Sequence, residues 1–508
     1  MNMRFYCCLL FVTVFFNACS KDQSSPPDPD GSIDPVNLPP KDFNVTVDSI
    51  FAERAVISWS NAVDPEGDSV KYDIWLNERL VISDVSGLTY NLSGLVELTA
   101  YSGKVIARDG ENKQLIKSFS FTTEKYYFKF LKLYEYDKYI SPLNPGGGEV
   151  KQIIKMRDGF YIVVGASYVD GAYANGSQIF AMKIDYYGKE IWKKYYPYSA
   201  GPAFDVAATE SLNGLLIVSY INLLNIDTDG NLIWYKKIES YDDGDGGTEI
   251  RSVKQDSEGN IFIAGGRTAP EPDILQEGVV TKLDQFGNII WEKAFKPSIR
   301  GFFYDIQITT SNELVVLGTR ETDGITYEQH LKGDPPEQTD YWIVKLSAGG
   351  EEIWQKTYGD RRFDIPSKMI LKSNENYVFV GSSWGIASDL QGRMFEITPD
   401  GSEVRSLSYG VPMSFTLSVA ETRDGGLVTT GFAELSSSKA LQISKFSDSG
   451  MEEWNRVYYE LNTFLFGRSI LPEEDGGYRI AVSEANYIGY GNPAHIAVYK
   501  TDPLGRYK

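Results

Sequence analysis

The chain of 508 residues is poor in sulfur and poorer in imidazole: its three cysteines are Cys7, Cys8 and Cys19, and its two histidines are His330 and His495. The body of the protein therefore has neither a disulfide framework nor a cysteine zinc site, and a histidine metal site would need both imidazoles plus carboxylates. Positive charge is scarce as well. The formal net charge is −20, and no basic run is longer than Lys193-Lys194 or Arg361-Arg362. Such a field excludes nucleic acid and docking on an anionic surface. The chain also lacks a Gly-x-Ser-x-Gly elbow, a His-Glu-x-x-His pair, a P-loop and a deaminase signature. No catalytic residue, metal site or cofactor is assigned, and the reading leans away from an enzyme. Two acidic stretches bear on calcium. Asp64, Glu66 and Asp68 read as a turn shaped by Pro65 and Gly67, and 242–247 (DDGDGG) lacks EF-hand spacing and its final Glu.

What is present begins with an address. Arg4, the apolar run 5–16 and the approach Asn17-Ala18-Cys19 make a signal peptide over 1–18, too short to span a bilayer. The approach resembles a bacterial lipobox, which implies lipidation of Cys19. Residues 20–23 (SKDQ) resemble the export signal of Bacteroidota surface lipoproteins. These resemblances imply an outer-membrane location, lipid-anchored and facing the exterior. Residues 19–39 are rich in Ser, Pro and Asp and read as a disordered tether.

Residues 40–124 show short strands at regular spacing. The run 55–59 (AVISW) alternates, and Val56 and Trp59 are expected near a core. With Leu95 and Tyr101 placed like a tyrosine corner, this stretch resembles a fibronectin type III domain. The resemblance implies a β-sandwich used as a spacer or contact module.

From residue 125 a repeat takes over. An acidic or hydroxyl residue, a glycine turn and an apolar run ending in Trp recur at 185–192 (DYYGKEIW), 227–234 (DTDGNLIW), 284–291 (DQFGNIIW), 347–354 (SAGGEEIW) and 447–454 (SDSGMEEW). A fifth unit has Val404-Arg405 instead, so the tryptophan reads as packing and not as a ligand group. Second strands end in Gly165, Gly265, Gly318 and Gly381. Seven starts spaced by about 40–60 residues, with four strands each, point to a propeller. The units resemble tryptophan-containing, quinoprotein-like blades. The expected architecture is thus all-β: a fibronectin type III-like sandwich followed by a seven-bladed β-propeller over 125–508, with six or eight blades left open. The last unit ends where its fourth strand should start, and strand 127–134 is expected to fill the gap.

In such a blade, tight Asp/Gly turns occupy one face and long loops the other. Insertions on one face of a repeat array mark a binding face. The candidate ligand-binding residues there are Tyr168, Tyr173, Arg300, Tyr327, Arg361, Arg362, Trp384, Tyr487 and Tyr490, since exposed aromatics and arginines stack on sugars or anchor proteins. The expectation is a surface lipoprotein whose loop face binds a glycan or an envelope protein without catalysis. One alternative is a polysaccharide lyase or glycoside hydrolase working over the channel, with His330 or a tyrosine as base beside Arg300, Arg361 or Arg362. A second is a structural or assembly component.

Overall fold

The computed structural model describes residues 36–508 apart from 137–147, 169–176, 199–205, 240–248, 269–275, 297–299, 322–338, 360–362, 385–389, 436–437 and 487–494. Two compact units divide the chain, Met1–Tyr126 and Tyr127–Lys508. Every regular element among the described residues is a β-strand.

In the first unit, one sheet orders Val45–Ile50, Arg54–Trp59 and Thr89–Ser93. The other orders Arg79–Val85, Lys71–Leu76, Ala100–Arg108 and Gln114–Thr122. Side chains alternate across a strand, so Ala55, Ile57 and Trp59 face the core together and Val56 does not. The expected pairing of Val56 with Trp59 is corrected by that period of two. Tyr101 accepts the Val96 N–H at 2.9 Å on its hydroxyl oxygen. One carboxylate oxygen of Asp64 accepts the N–H groups of Glu66 and Asp68, both at 3.0 Å, which makes this acid a turn former.

The second unit is built from antiparallel groups of four strands, and the chain runs outward through each group in order. Inner strands are Gly148–Lys155, Val206–Ser211, Glu249–Gln255, Gly301–Ile308, Phe363–Leu371, Ser414–Glu421 and Thr463–Pro472. Each inner strand contacts the next, and the last contacts the first, so they form a closed cycle in a propeller-like arrangement. In the last group the outermost place belongs to Phe130–Glu135, which pairs antiparallel with His495–Lys500.

The repeated turn connects the third and fourth strands of a group and packs against the outer strand of the group before it. Its leading Asp or hydroxyl caps the turn: Asp227 accepts the N–H groups of Asp229 and Asn231, and Ser447 Oγ accepts that of Met451. The turn glycine has positive φ, +77° at Gly230 and +78° at Gly401, a backbone that L side chains rarely adopt. Trp192 of the first group packs on Gly230 of the second, and Trp354 of the fourth packs on Gly401 of the fifth. Tyrosines from the same outer strands donate to those glycine carbonyls: Tyr196 to Gly230 at 2.9 Å and Tyr358 to Gly401 at 2.7 Å. Gly505, in the turn after His495–Lys500, receives Trp454 and the Tyr458 hydroxyl in the same way. Tyr134 of Phe130–Glu135 donates to Gly188 at 2.6 Å, which carries the latch from the last group to the first.

Candidate functional site in the central channel

A cavity of about 290 Å³ lies where the inner strands converge. Six of those strands carry a β-bulge at the same level, and the extra residue is Lys151, Arg251, Tyr304, Ser367, Leu417 or Arg468. All six line the cavity. A bulge leaves one residue unpaired in the ladder and re-aims its side chain, which is how a strand buried between two neighbours reaches the axis.

The bulge has a sequence cause. Gly165, Gly265, Gly318, Gly381 and Gly431 stand on the second strands opposite the residue before the bulge. At Gly165 a Cβ would clash with the carbonyl oxygen of Glu149, and at Gly265 with that of Glu249. In the second group Ser219 takes the glycine's place, the strand Val206–Ser211 has no register shift, and Val206 and Ala207 line the wall. The last group moves its glycine to the inner strand, at Gly467.

The wall is basic on a strongly acidic chain. Lys151, Arg251, Lys368 and Arg468 face the cavity, against one lining acid, Asp305. Glu149 holds Lys151 at 2.8 Å and Arg468 at 3.0 Å. Arg251 Nε donates to Glu249 at 2.6 Å, and its guanidinium lies 4.4 Å from the Tyr304 ring centroid. Asp305 is buried and meets Lys368 at 3.1 Å, the Ser252 hydroxyl at 2.7 Å and the Met369 N–H at 3.0 Å. Burial would raise this carboxyl. Lys368, Lys254 and the hydrogen bonds outweigh burial and hold it below the usual carboxylate range. Cations gathered in a low-dielectric concavity focus field on an anion.

Of the loop-face candidates, two are described with their side chains. Trp384 is 43% exposed at the end of Tyr377–Trp384, across from Phe363. Arg300 approaches Glu321 at 3.9 Å, and its carbonyl accepts the Glu321 N–H at 3.0 Å. Tyr168 closes the strand Tyr161–Tyr168, opposite Ser177. Cys19, Tyr173, Tyr327, Arg361, Arg362, Tyr487, Tyr490 and His330 lie outside the described residues. Neither Trp384 nor Arg300 lines the channel cavity. The channel residues escaped the sequence reading because their side chains share no chemistry. The signal that would have found them is the second-strand glycine, counted back across the tight turn.

No family model matches the chain, and no curated protein matches it in sequence. Among solved structures, a Synechocystis apocarotenoid oxygenase variant is similar at 12% identity and a TM-score of 0.41, over 71% of this chain and 94% of that one. The extracellular domain of a putative one component system from B. thetaiotaomicron is similar at 10% identity and 0.42, over 91% of this chain and 58% of that one. An exotype rhamnogalacturonan lyase is similar at 9% identity and 0.38, over 91% of both chains. Two of these three are enzymes, which corrects the expectation of a propeller that binds a glycan or envelope protein without catalysis. The physical counterpart is the cavity itself, which the inner strands build at the axis. The expectation of no cofactor is likewise corrected, because a cobalt-substituted form of the oxygenase is also similar and brings a metal into consideration. The described residues do not fit such a centre. Among the described residues no three of His, Cys, Asp and Glu stand close enough to hold a metal ion, and the one described histidine, His495, is paired with Glu484 at 3.9 Å.

Proposed function

We propose that this chain is a polysaccharide-degrading enzyme that acts on an acidic carbohydrate in the central channel, by elimination. One observation carries the reading: four cationic side chains, on inner strands of four different groups, converge on one cavity with Tyr304. An eliminase needs cations against the uronate carboxylate, so that the neighbouring carbon gives up its proton more readily. A base takes that proton, the electron pair forms the new C=C bond, the glycosidic C–O bond breaks, and the leaving oxygen is protonated. Arg251, Arg468, Lys151 and Lys368 supply the carboxylate clamp. Tyr304, under the Arg251 guanidinium, is the hydroxyl placed to protonate the leaving oxygen. A hydrolase would use two carboxyl groups about 5–10 Å apart. The described lining holds one, and Asp305 is already engaged by Lys368 and backbone. The cavity sits at the low end of ligand pockets, about 300–1,000 Å³, which favours a chain end over a buried polymer.

The architecture proposed around this site is a seven-bladed ring closed by Phe130–Glu135, preceded by a fibronectin type III-like sandwich. The strand orders and the Tyr101 contact support it. The lipobox-like Cys19 supports a lipid anchor, and residues 20–23 (SKDQ) support a position facing the exterior. Incubation with uronate-containing polysaccharides, read as ultraviolet absorbance of unsaturated products, tests the reading. Arg251→Ala and Arg468→Ala are expected to lower the rate at least tenfold. Absence of turnover across pectic, alginate-type and glycosaminoglycan substrates, with and without divalent ions, would sink it.

A further inference from the structure

The channel wall has two unlike sides. Lys151 and Arg468 share Glu149, and Arg251 is held by Glu249, so the first, third and last groups make one side cationic. The fifth and sixth groups bring Ile365, Pro366 and Leu417 to the cavity, with Ser367 among them. Around the cycle of inner strands, Ser367 stands three places from Lys151, and Leu417 three places from Arg251. That is as far apart as the cycle allows. The cation on this second side, Lys368, is paired with buried Asp305 at 3.1 Å. The other apolar stretch, Val206 and Ala207, lies between the cations of the first and third groups.

Donors are scarce on the apolar side. Pro366 has no N–H. The Ser418 hydroxyl, the next residue after Leu417, accepts the Ile470 N–H at 3.4 Å. Ser367 is the extra residue of a bulge, so its side chain leaves the ladder and turns to the axis. It is half-buried, and its hydroxyl has no hydrogen-bond partner among the described residues. One hydroxyl set among three apolar side chains is therefore what this side offers a ligand.

We infer that this side seats an acetyl group, so that the preferred substrate is a uronate polysaccharide acetylated on the uronate or on the sugar beside it. The inference rests on the channel reading above and names the substrate class which that reading leaves open. A bare sugar shows a hydroxyl on almost every edge. Against Ile365, Pro366 and Leu417 such a hydroxyl gives up its water for hydrocarbon, which costs affinity. An acetyl group matches the lining in both its parts: the methyl meets hydrocarbon, and the carbonyl oxygen accepts the Ser367 O–H. Carboxylate and acetyl then fix the sugar from opposite sides, the work that a few placed polar groups do in a ligand pocket. Ester and amide acetyls present the same methyl and carbonyl, so O-acetylated uronans and uronate polymers with N-acetylated amino sugars share this chemistry.

The test compares matched substrates on the whole wild-type protein, read as ultraviolet absorbance of unsaturated products. One arm sets an O-acetylated pectic or alginate-type uronan against the same polymer deacetylated. The other sets a glycosaminoglycan oligosaccharide with N-acetyl groups against its N-formyl counterpart, which keeps the amide and loses only the methyl. Loss of the acetyl methyl is expected to lower kcat/KM by about tenfold or more in at least one arm, and the arm that responds identifies ester or amide. Leu417→Asn and Ser367→Ala should each shrink that ratio by about threefold or more. Turnover with both ratios within about twofold of one overturns the acetyl seat and leaves the channel reading standing. A wild-type ratio that neither variant changes overturns it equally. Protein that turns over none of the four substrates overturns the channel reading and the acetyl seat together.

Discussion

Arg405 lies 2.7 Å from the buried carboxylate of Glu396 on the adjacent strand, in one of the two groups whose outer strand has no tryptophan, the other being the last, which Phe130–Glu135 closes. Elsewhere the tryptophan faces a lysine, as in Lys183 opposite Trp192 and Lys445 opposite Trp454, or an asparagine, Asn225 opposite Trp234. Here Arg and Glu replace Trp and Lys together, and Lys372 joins them at 3.5 Å from Glu396. Arg405 also covers the turn glycine of the sixth group, Gly450, as the tryptophans cover theirs. Arg405→Met should cost about 2–4 kcal/mol, because it strips one of two cations from a buried carboxylate. The triple variant Arg405→Trp, Glu396→Lys and Lys372→Thr restores the common pair without setting Lys372 against the new lysine, and should recover at least half of that. Urea denaturation of the three proteins checks it.

The glycine opposite a bulge makes a second prediction. A Cβ at Gly431 would run into the Phe415 carbonyl oxygen. Gly431→Ala should destabilise by about 3 kcal/mol or more through backbone displacement. Gly165→Ala should do the same and also displace Lys151 from the wall, which weakens uronate binding. By contrast Gly67, at positive φ with nothing near its Cβ position, should lose about 1 kcal/mol on replacement by Ala. Thermal unfolding ranks the three.

These contrasts show which features a sequence displays openly. The repeated turn was legible because each copy needs a positive-φ glycine and a hydroxyl or carboxylate ahead of it, and few residues meet those demands. The all-β character followed from the same grammar. The channel was not legible, since Lys151, Arg251, Tyr304, Ser367, Leu417 and Arg468 have no common side-chain property. The long aromatic loops stand out instead, because their composition is conspicuous locally. What unites the wall is register, which emerges once strands pair. The misassigned inward face of Val56 has a simpler origin: Val56 and Trp59 are three residues apart, and a period of two places them on opposite faces.

A third prediction concerns the closing strand. Removing residues 36–136 takes away Phe130–Glu135, leaves His495–Lys500 as an open edge and deletes the Tyr134–Gly188 latch. Exposed edges pair with other chains. The truncated protein should elute as soluble oligomers or aggregate, whereas a truncation starting at residue 127 should elute as a single species of its calculated mass. Size-exclusion chromatography with light scattering separates the two outcomes.

A fourth prediction uses the sign of the Lys254 shift: desolvation brings this amine down to about 8. Its amine holds a proton less tightly in the folded chain than in the unfolded one, whose lysine has the ordinary value of 10.5. Folding therefore carries a penalty that is full below pH 8, shrinks between about 8 and 10.5, and vanishes above. Lys254→Met should be more stable than wild type at pH 7, by on the order of 1–3 kcal/mol, with the gap narrowing toward pH 10. A gap that widens with pH would contradict that sign. Calorimetry at three pH values measures it.

The bulges also separate two tasks that most cores keep entangled. A residue that skips the ladder and reaches the axis has no strand residue paired opposite it, so its identity is less tied to the ring that holds it. Lysine, arginine, tyrosine, serine and leucine occupy equivalent stations in one molecule without altering the frame. The wall is a combination lock set one tumbler at a time, and its chemistry can be rewritten station by station while the housing stays as it is.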